Sequence, residues 1–296
     1  MNDDIYSRGK ILASQHRVSE WFVSFMEFAR KADATSAWVP QIKPILPHKA
    51  EHDREQEEYR RQAGIMAGPG LHIECGDRLD GATINPNTVG EAVRQWNSAI
   101  PQVVVIDDFL TPQALDALRQ YCWGSDMWRQ SYVDGYLGAF PEHGFAAPLL
   151  AQIAEEFWRR FSDICGDYPL KYVWAFKYGS EKRGIGVHAD EAAVNVNFWI
   201  TPDEANLDPE SGGLVIWDKA APLDWDFSKY NGNVAAIRDF LSESGANKRK
   251  ISHRANRAVI FDSDLFHETD RLSFQEGYQN RRINVTLLYG EREKQA

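Results

Sequence analysis

Positions 188–190 read His188-Ala189-Asp190, a histidine and an aspartate two residues apart. In an extended segment such residues point to the same face, so one strand can offer an imidazole nitrogen and a carboxylate oxygen to a single ion. His267 follows residues 258–264, a pattern typical of a strand and a tight turn. It would lie opposite the first pair if the sheet closes on itself. These three side chains are the candidate metal ligands.

Because a His-x-Asp pair is common by chance, other interpretations stay open. His188 could be hydrogen-bonded in the core while Asp190 caps a turn. His253 is a competing third ligand, although its place just after Lys248-Arg249-Lys250 indicates a surface residue. Two imidazoles and one carboxylate suit non-haem Fe(II) and leave the opposite coordination positions open. Zinc is compatible with the same atoms.

Segments typical of β-strands surround this cluster. They cover residues 103–106, 172–176, 194–200, 213–217, 258–261 and 283–289. Most of them follow one another without intervening helices, which predicts an antiparallel sandwich or jelly roll. Thr111 and Pro112 form a good helix start, and residues 146–165 read as a long helix. The sequence therefore predicts an α+β fold with a jelly-roll core and flanking helices.

The last predicted strand carries a basic residue on its polar face. Arg282, Asn284 and Thr286 alternate with apolar residues that are expected to pack against helices. A buried guanidinium is costly without an anion, and a carboxylate is its best bidentate partner. That partner could be an internal Asp or Glu, or an acidic co-substrate. Arg281 would lie on the outer face, in solvent.

The first third of the chain is predicted to be a helical extension, residues 1–95, followed by the main domain, residues 96–296. Apolar residues recur at helical spacing between residues 11 and 26, and the charged stretch 51–62 predicts a second helix that ends near Gly64 or Gly68. Pro40, Pro44 and Pro47 predict an extended connector between the two helices. The extension either covers the outside of the main domain or acts as a dimerisation or substrate-capping arm.

Composition limits the possible partners and locations. The net charge of -10 disfavours a broad contact with nucleic acid or an anionic membrane. Three scattered cysteines form no metal-binding pair, and the acidic start resembles no signal peptide. No apolar run approaches the roughly 20 residues of a membrane span. We expect a cytoplasmic protein with no membrane or nucleic-acid partner, while the oligomeric state is not predicted.

Taken together, these motifs resemble the 2-oxoglutarate- and Fe(II)-dependent dioxygenase superfamily, whose pattern is His-x-Asp, a distal His and a downstream Arg. Here 79 positions separate the two histidines, and Arg282 follows 15 positions later. The prolyl-hydroxylase-like branch is similar in three further motifs, Lys177-Tyr178-Gly179, Gly212-Gly213-Leu214 and residues 261–267. Nucleic-acid demethylases carry another Arg where this chain has Leu288. The resemblance covers residues 100–290.

The resemblance implies a double-stranded β-helix in which His188, Asp190 and His267 hold iron. It also implies that Arg282 binds the distal carboxylate of 2-oxoglutarate, aided by Tyr178 and Asn284. Turnover with O2 would release succinate and CO2. Because Asp190 is present, the chemistry expected is hydroxylation rather than halogenation.

The expected substrate is a small molecule, such as an amino acid or a biosynthetic intermediate, hydroxylated at an unactivated C–H bond. A protein or peptide side chain is the alternative. Residues 220–252 are a long insertion that could form a lid or cover a sheet edge. Trp199, Trp217 and Trp225 could line the pocket or belong to the core. Two other classes remain, a non-catalytic cupin-like metal-binding or sensor protein and a zinc hydrolase.

Overall fold

β-Branched and aromatic segments after residue 100 form strands, as the sequence predicts. The computed structural model describes residues 46–65, 72–180 and 184–292. In chain order the strands within these ranges are β1 (Val103–Ile106), β2 (Gln130–Ser131), β3 (Tyr136–Ala139), β4 (Leu170–Tyr178), β5 (Val194–Trp199), β6 (Leu214–Ala220), β7 (Lys248–Ile251), β8 (Ala258–Asp262), β9 (Leu265–Thr269) and β10 (Ile283–Tyr289).

Two antiparallel sheets result. The larger has the order β1-β8-β5-β10-β4-β3-β2, and the smaller has the order β7-β6-β9. A buried apolar cluster joins them, with Trp199 and Phe261 from the larger sheet packed against Leu214 and Leu265 from the smaller. Two sheets packed in this way form the predicted jelly-roll core.

Helices pack on the outer face of the larger sheet, and one packs against the smaller sheet. The described helices are α1 (Pro47–Ala63), α2 (Val89–Ser98), α3 (Pro112–Gly124), α4 (Pro148–Arg160), α5 (Ser162–Cys165) and α6 (Val234–Glu243). In β10, Val285 and Leu287 point outward into the same core cluster as Leu150 and Phe157 of α4. The predicted alternation of β10 is therefore confirmed, and its polar residues face the space between the sheets.

Capping residues determine where several helices begin or end. Thr111 caps α3 by accepting a hydrogen bond from the Ala114 amide at 3.3 Å, with Pro112 as the first helical residue. Gly64 ends α1 in the left-handed conformation, with φ at 70°. The single helix predicted over residues 146–165 is interrupted at Phe161, whose φ and ψ of -106° and 35° are not helical.

The N-terminal predictions are only partly covered by the described residues. The apolar helix expected between residues 11 and 26 lies outside them, as do Pro40 and Pro44. Pro47 is the first residue of α1 and not part of an extended connector. This correction has a simple cause, since proline lacks an N–H that the first helical turn does not need. The domain boundary near residue 95 stays a prediction.

The insertion at residues 220–252 is structured. It contains α6, and its last residues form β7, which pairs with β6 in the smaller sheet. Ile237 and Leu241 of α6 pack against Val187, Ala189 and Phe266, the neighbours of the candidate ligands. None of the described helices has the length and apolar character to cross a membrane.

Candidate metal and anion site

The three candidate ligands lie together at the smaller sheet. The Nε2 atom of His188 is 3.7 Å from Oδ1 of Asp190, and Nε2 of His267 is 3.5 Å from Oδ2 of the same carboxylate. One ligand atom from each residue lies within 4.8 Å of the others. This spacing suits side chains that share a metal ion. In the described residues this is the one cluster of three or more such side chains with that geometry.

Main-chain pairing brings the distant residues together. His188 and His267 form an antiparallel bridge, so the 188 segment extends the smaller sheet next to β9. The Asp190 amide continues the contact by donating to the Ser263 carbonyl at 3.2 Å. Residues directly opposite in an antiparallel pair project to the same face. The two imidazoles consequently share a face, with ring centroids 4.3 Å apart.

Each histidine is oriented by its other ring nitrogen. Nδ1 of His188 lies 2.7 Å from the Gly186 carbonyl, and Nδ1 of His267 lies 3.0 Å from the Leu265 carbonyl. A carbonyl only accepts, so Nδ1 must carry the proton and Nε2 keeps a lone pair for a metal. Burial lowers the pKa of His188 to about 4, with a smaller effect from His267. His188 is therefore neutral at pH 7, as a ligand must be.

Asp190 is held in the charged form by its neighbours. Burial alone would raise its pKa, but its contacts with His267, His188 and Asn195 together lower the pKa below its usual value. The Asn195 side-chain amide donates to Oδ2 of Asp190 at 2.8 Å. A carboxylate fixed in this way can bind a cation without first losing a proton.

Arg282 is a buried cation with only neutral hydrogen-bond partners. Its Nε donates to the Gly212 carbonyl at 2.6 Å, and its two terminal nitrogens donate to the Asn284 side chain at 3.1 Å and to the Gly213 carbonyl at 3.3 Å. Burial lowers its pKa to about 10, so it stays charged at pH 7. In the described ranges no carboxylate lies within 4.0 Å of the guanidinium, so the internal ion pair considered from the sequence is not formed.

A close backbone approach holds the carbonyls that face Arg282. A Cβ atom on Gly213 would lie 2.0 Å from the main-chain oxygen of Ile251. Only glycine fits this position, because real Cβ atoms do not come so close to backbone. The Gly212-Gly213 pair thus allows the start of β6 to pack closely against β7. In this position both glycine carbonyls accept hydrogen bonds from the Arg282 guanidinium.

Tyr178 and Asn284 adjoin Arg282, as the resemblance implies. The guanidinium carbon lies 4.9 Å from the centre of the Tyr178 ring. Burial raises the pKa of Tyr178, while interactions with Arg282 and Thr269 oppose that rise. Both residues line one small cavity together with Arg282 and the three candidate ligands.

The cavity and a larger cleft share two walls. The small cavity has a volume of about 40 Å³, and Trp174, Phe176, Leu214, Asn197 and Thr286 complete its lining. The adjoining cleft has a volume of about 640 Å³, and Ile185 and Thr269 belong to both. A small polar chamber at the candidate metal site therefore adjoins a cleft of the size that ligands occupy.

Structures of known proteins share this architecture. The α-ketoglutarate-dependent epimerase SnoN from nogalamycin biosynthesis matches with a TM-score of 0.52 and 10% identity, over 70% of this chain and 84% of SnoN. The α-ketoglutarate-dependent carbocyclase SnoK from the same biosynthesis matches with a TM-score of 0.52 and 14% identity, over 71% of this chain and 87% of SnoK. α-Ketoglutarate is another name for 2-oxoglutarate. The chain has the 2-oxoglutarate oxygenase fold.

A prolyl-4-hydroxylase from Pseudomonas putida also matches, with a TM-score of 0.44 and 13% identity over 73% of this chain and 100% of that one. That score does not separate one branch of the fold from another, so the prolyl-hydroxylase-like branch stays a prediction. No protein-family model matches the sequence, and the search of curated proteins found no significant match.

Two residues predicted to be in solvent are buried. The side chain of His253 lies between the rings of Trp199 and Phe274, at centroid distances of 5.8 and 5.1 Å, because residues 252–256 turn inward after β7. It does not belong to the ligand cluster. Arg281 pairs with Glu55 of α1, whose position the sequence pattern did not reveal.

The tryptophans proposed for the pocket do not line it. Trp199 and Trp217 are core residues of two separate apolar clusters, and Trp225 packs at the edge of the second. Trp199 still contacts the site indirectly, since its ring centre is 5.6 Å from the Arg282 guanidinium carbon.

Three features of the site were missed from the sequence. Asn195 orients Asp190, Thr269 forms a wall of both cavities, and the Gly212-Gly213 carbonyls hold Arg282. Thr269 could have been found, because it lies two residues after His267 on one strand and so shares its face. The roles of Asn195 and the glycines depend on contacts between distant segments, which the sequence pattern does not indicate.

Proposed function

We propose that this protein is an Fe(II)- and 2-oxoglutarate-dependent oxygenase that hydroxylates an unactivated C–H bond of a small polar molecule. One observation carries the proposal. A two-histidine, one-carboxylate cluster and a buried guanidinium without a carboxylate partner open onto the same small cavity. The first suits a metal ion, and the second suits the far end of a dicarboxylic acid.

The donor set fits iron. His188, Asp190 and His267 would hold it from one side, because two imidazoles and a carboxylate form the facial arrangement used for non-haem Fe(II). Both Nε2 atoms are left free for a metal by the Nδ1 contacts. Zinc accepts the same atoms, but zinc hydrolysis gives no role to Arg282.

The environment of Arg282 fits a carboxylate. A buried charge is costly unless an opposite charge compensates it, and a guanidinium pairs best with a planar carboxylate. Carbonyl and amide partners satisfy some of its donors but do not neutralise it. The distal carboxylate of 2-oxoglutarate would supply the missing charge, with Tyr178 and Asn284 beside it. The roughly 40 Å³ cavity would have to widen to admit the whole molecule.

The residues of the chain prepare the site for oxidation. When bound, iron together with 2-oxoglutarate and O2 would supply the oxidising chemistry, with succinate and CO2 as co-products. Asn195 keeps the Asp190 carboxylate in place, and the Gly186 and Leu265 carbonyls keep both imidazoles turned inward. Trp174, Phe176, Ile185 and Leu214 supply apolar walls that exclude water.

The cleft supports a polar substrate. Its walls include Arg238, Glu268, Asp270 and Arg271, while Ile185 and Leu272 are its apolar side chains. A volume of about 640 Å³ holds a molecule of amino-acid or metabolite size. An amino acid or a biosynthetic intermediate is therefore the proposed substrate, and a peptide side chain remains the second candidate. A cytoplasmic location is part of the same proposal.

Succinate formation tests the proposed function. Purified protein with Fe(II) and 2-oxoglutarate is incubated in air and under nitrogen, with a panel of free amino acids and of short peptides. Succinate that forms only in air, and that increases with one compound in the panel, supports the oxygenase. Metal binding without any 2-oxoglutarate consumption would favour the cupin-like binding protein. Hydrolysis of a panel compound under nitrogen with Zn(II) would favour a zinc hydrolase.

A further inference from the structure

Two neighbouring pairs of residues connect the candidate anion site to the outside of the larger sheet. Tyr178 and Arg282 line the small cavity, whereas Lys177 and Arg281, the residues just before them, do not. The Tyr178 amide donates to the Arg282 carbonyl at 2.9 Å. The cavity residues and their outer neighbours thus lie on the same hydrogen-bonded backbone segment. A displacement of the outer side chains can therefore change the position of the cavity residues.

Helix α1 covers the outer side of this piece. The Arg281 guanidinium donates through Nε to the Glu55 carboxylate at 2.7 Å, and its terminal nitrogen lies 3.4 Å from the Glu51 carboxylate. The Nζ atom of Lys177 lies 3.6 Å above the ring centre of Tyr278. Arg281 and Lys177 are both buried. The helix therefore supplies the carboxylates that balance a buried cation next to Arg282.

Polar contacts help to dock α1, beside the ring of Tyr59, which packs against Trp123 and Tyr278. Its buried residues are His52, Gln56 and Arg60, which share one face at four-residue spacing. Gln56 donates to the Ser125 carbonyl at 2.9 Å and to the Tyr278 hydroxyl at 2.8 Å. Arg60 donates to the Gly124 carbonyl at 2.7 Å. Hydrogen bonds and ion pairs therefore contribute to holding the helix in place, and single substitutions can weaken them.

We propose that Glu55 of α1 is a positioning residue for the co-substrate: by holding Arg281, it keeps the adjacent Arg282 in the orientation that binds the distal carboxylate of 2-oxoglutarate. This inference rests on the proposed function. The hydrogen-bond partners of Arg282 itself are uncharged carbonyl and amide groups, together with the Tyr178 side chain. Without Glu55, the Arg281 side chain would keep only the longer contact with Glu51 at 3.4 Å, although the Thr201 hydroxyl still donates to the Arg281 carbonyl at 3.1 Å. The residue before Arg282 would then be held less firmly against the helix.

The test compares Glu55→Gln with Glu57→Gln, a change at an exposed position of the same helix. Dissociation constants for 2-oxoglutarate are measured by calorimetry on protein loaded with Ni(II), which supports binding without turnover. We expect Glu55→Gln to weaken 2-oxoglutarate binding about threefold to tenfold, the range of an indirect coupling. The urea midpoint is expected to fall, because Glu55→Gln removes one partner of the buried Arg281 ion pair. Ni(II) affinity should stay near that of Glu57→Gln, whereas a merely structural role would lower Ni(II) affinity together with 2-oxoglutarate affinity.

A double-mutant cycle completes the test. Arg281→Gln should weaken 2-oxoglutarate binding as much as Glu55→Gln, and the combined variant should be no weaker than either, since both remove one contact. Should Arg281→Gln fail to fold, Arg281→Lys replaces it and should bind 2-oxoglutarate more tightly than Glu55→Gln. Unchanged 2-oxoglutarate affinity in Glu55→Gln would overturn the inference alone. Absence of 2-oxoglutarate binding by the unsubstituted protein would overturn the proposed function, and the inference with it.

Discussion

His188 and His267 exchange both main-chain hydrogen bonds, with the His188 amide 3.0 Å from the His267 carbonyl and the His267 amide 2.8 Å from the His188 carbonyl. Their side chains repeat the same symmetry, because each Nδ1 lies against the carbonyl of the residue two positions earlier. Backbone pairing thus sets the spacing of the candidate ligands before any ion is considered. The site is preorganised by the sheet itself.

Removing one imidazole is expected to abolish tight metal binding. His188→Ala leaves one imidazole and one carboxylate, and the remaining pair cannot form the three-atom face. Fe(II) or Mn(II) binding, measured under nitrogen by calorimetry, should fall below detection, and succinate formation should stop. His72→Ala changes a histidine that pairs with Glu74 elsewhere, and it should bind the metal normally. If His188→Ala kept its metal affinity, His188 would not be a metal ligand.

Asn195→Ala is expected to weaken metal binding about tenfold to a hundredfold, the usual effect of losing a residue that orients a ligand. The substitution frees Oδ2 of Asp190 from its 2.8 Å hydrogen bond. Asn247→Ala is the matched control, since that amide also donates to an aspartate, Asp218 at 3.0 Å, but outside the cavity. Equal metal affinities in the two variants would contradict a role for Asn195 at the metal site.

Arg282→Gln is expected to weaken 2-oxoglutarate binding at least about thirtyfold, because truncating one partner of a buried charge pair costs about 2 kcal/mol or more. Metal affinity should change little. Arg94→Gln removes an arginine whose side chain is 72% exposed on α2, and it should bind 2-oxoglutarate like the unsubstituted protein. The measurement is calorimetry on the Ni(II)-loaded protein. Wild-type affinity in Arg282→Gln would show that the dicarboxylate binds elsewhere.

His253 is expected to make the fold sensitive to acid. Burial, followed by the charges of Arg282 and Arg257, lowers its pKa to about 3, and neither ring nitrogen has a hydrogen-bond partner in the described ranges. The unfolded chain, with a histidine pKa of about 6.5, takes up a proton more readily between these pH values. Stability is therefore retained above about pH 6.5 and lost progressively as the pH falls toward 3.

His253→Phe keeps a ring between Trp199 and Phe274 and removes the proton site. Going from pH 8 to pH 5, the variant should gain about 2 kcal/mol in unfolding free energy relative to the unsubstituted protein. Urea denaturation at the two pH values measures this difference. Parallel pH profiles for both proteins would mean that His253 is protonated without penalty.

The sequence predicted what alternation and local turn chemistry control. The polar face of β10, the Thr111 cap and the Gly64 helix end all depend on neighbours within a few residues, and all are confirmed. The spacing of His188 and Asp190 likewise follows from one extended segment. Their contact with His267 was inferred from the resemblance and from a sheet that had to close.

The burial of some other residues depends on contacts between segments far apart in the sequence, which the hydrophobic pattern does not indicate. Arg281 was expected in solvent because it alternates with Arg282. Instead, α1 packs over it, and Glu55 of that helix forms an ion pair with Arg281. His253 follows a basic run, yet the chain turns there into an aromatic environment. Neither packing partner is near in sequence. A polar helix face such as that of His52, Gln56 and Arg60 also lacks the apolar stripe that normally marks a docked helix.

In the proposed function, Arg282 would bind only one end of the dicarboxylate in the small cavity. Decarboxylation shortens 2-oxoglutarate at the opposite end, so succinate keeps the carboxylate that the guanidinium would hold. The residues around Arg282 would therefore not discriminate between succinate and 2-oxoglutarate. Succinate should therefore inhibit competitively, and the rate in a cell would follow the ratio of the two acids as well as the supply of substrate.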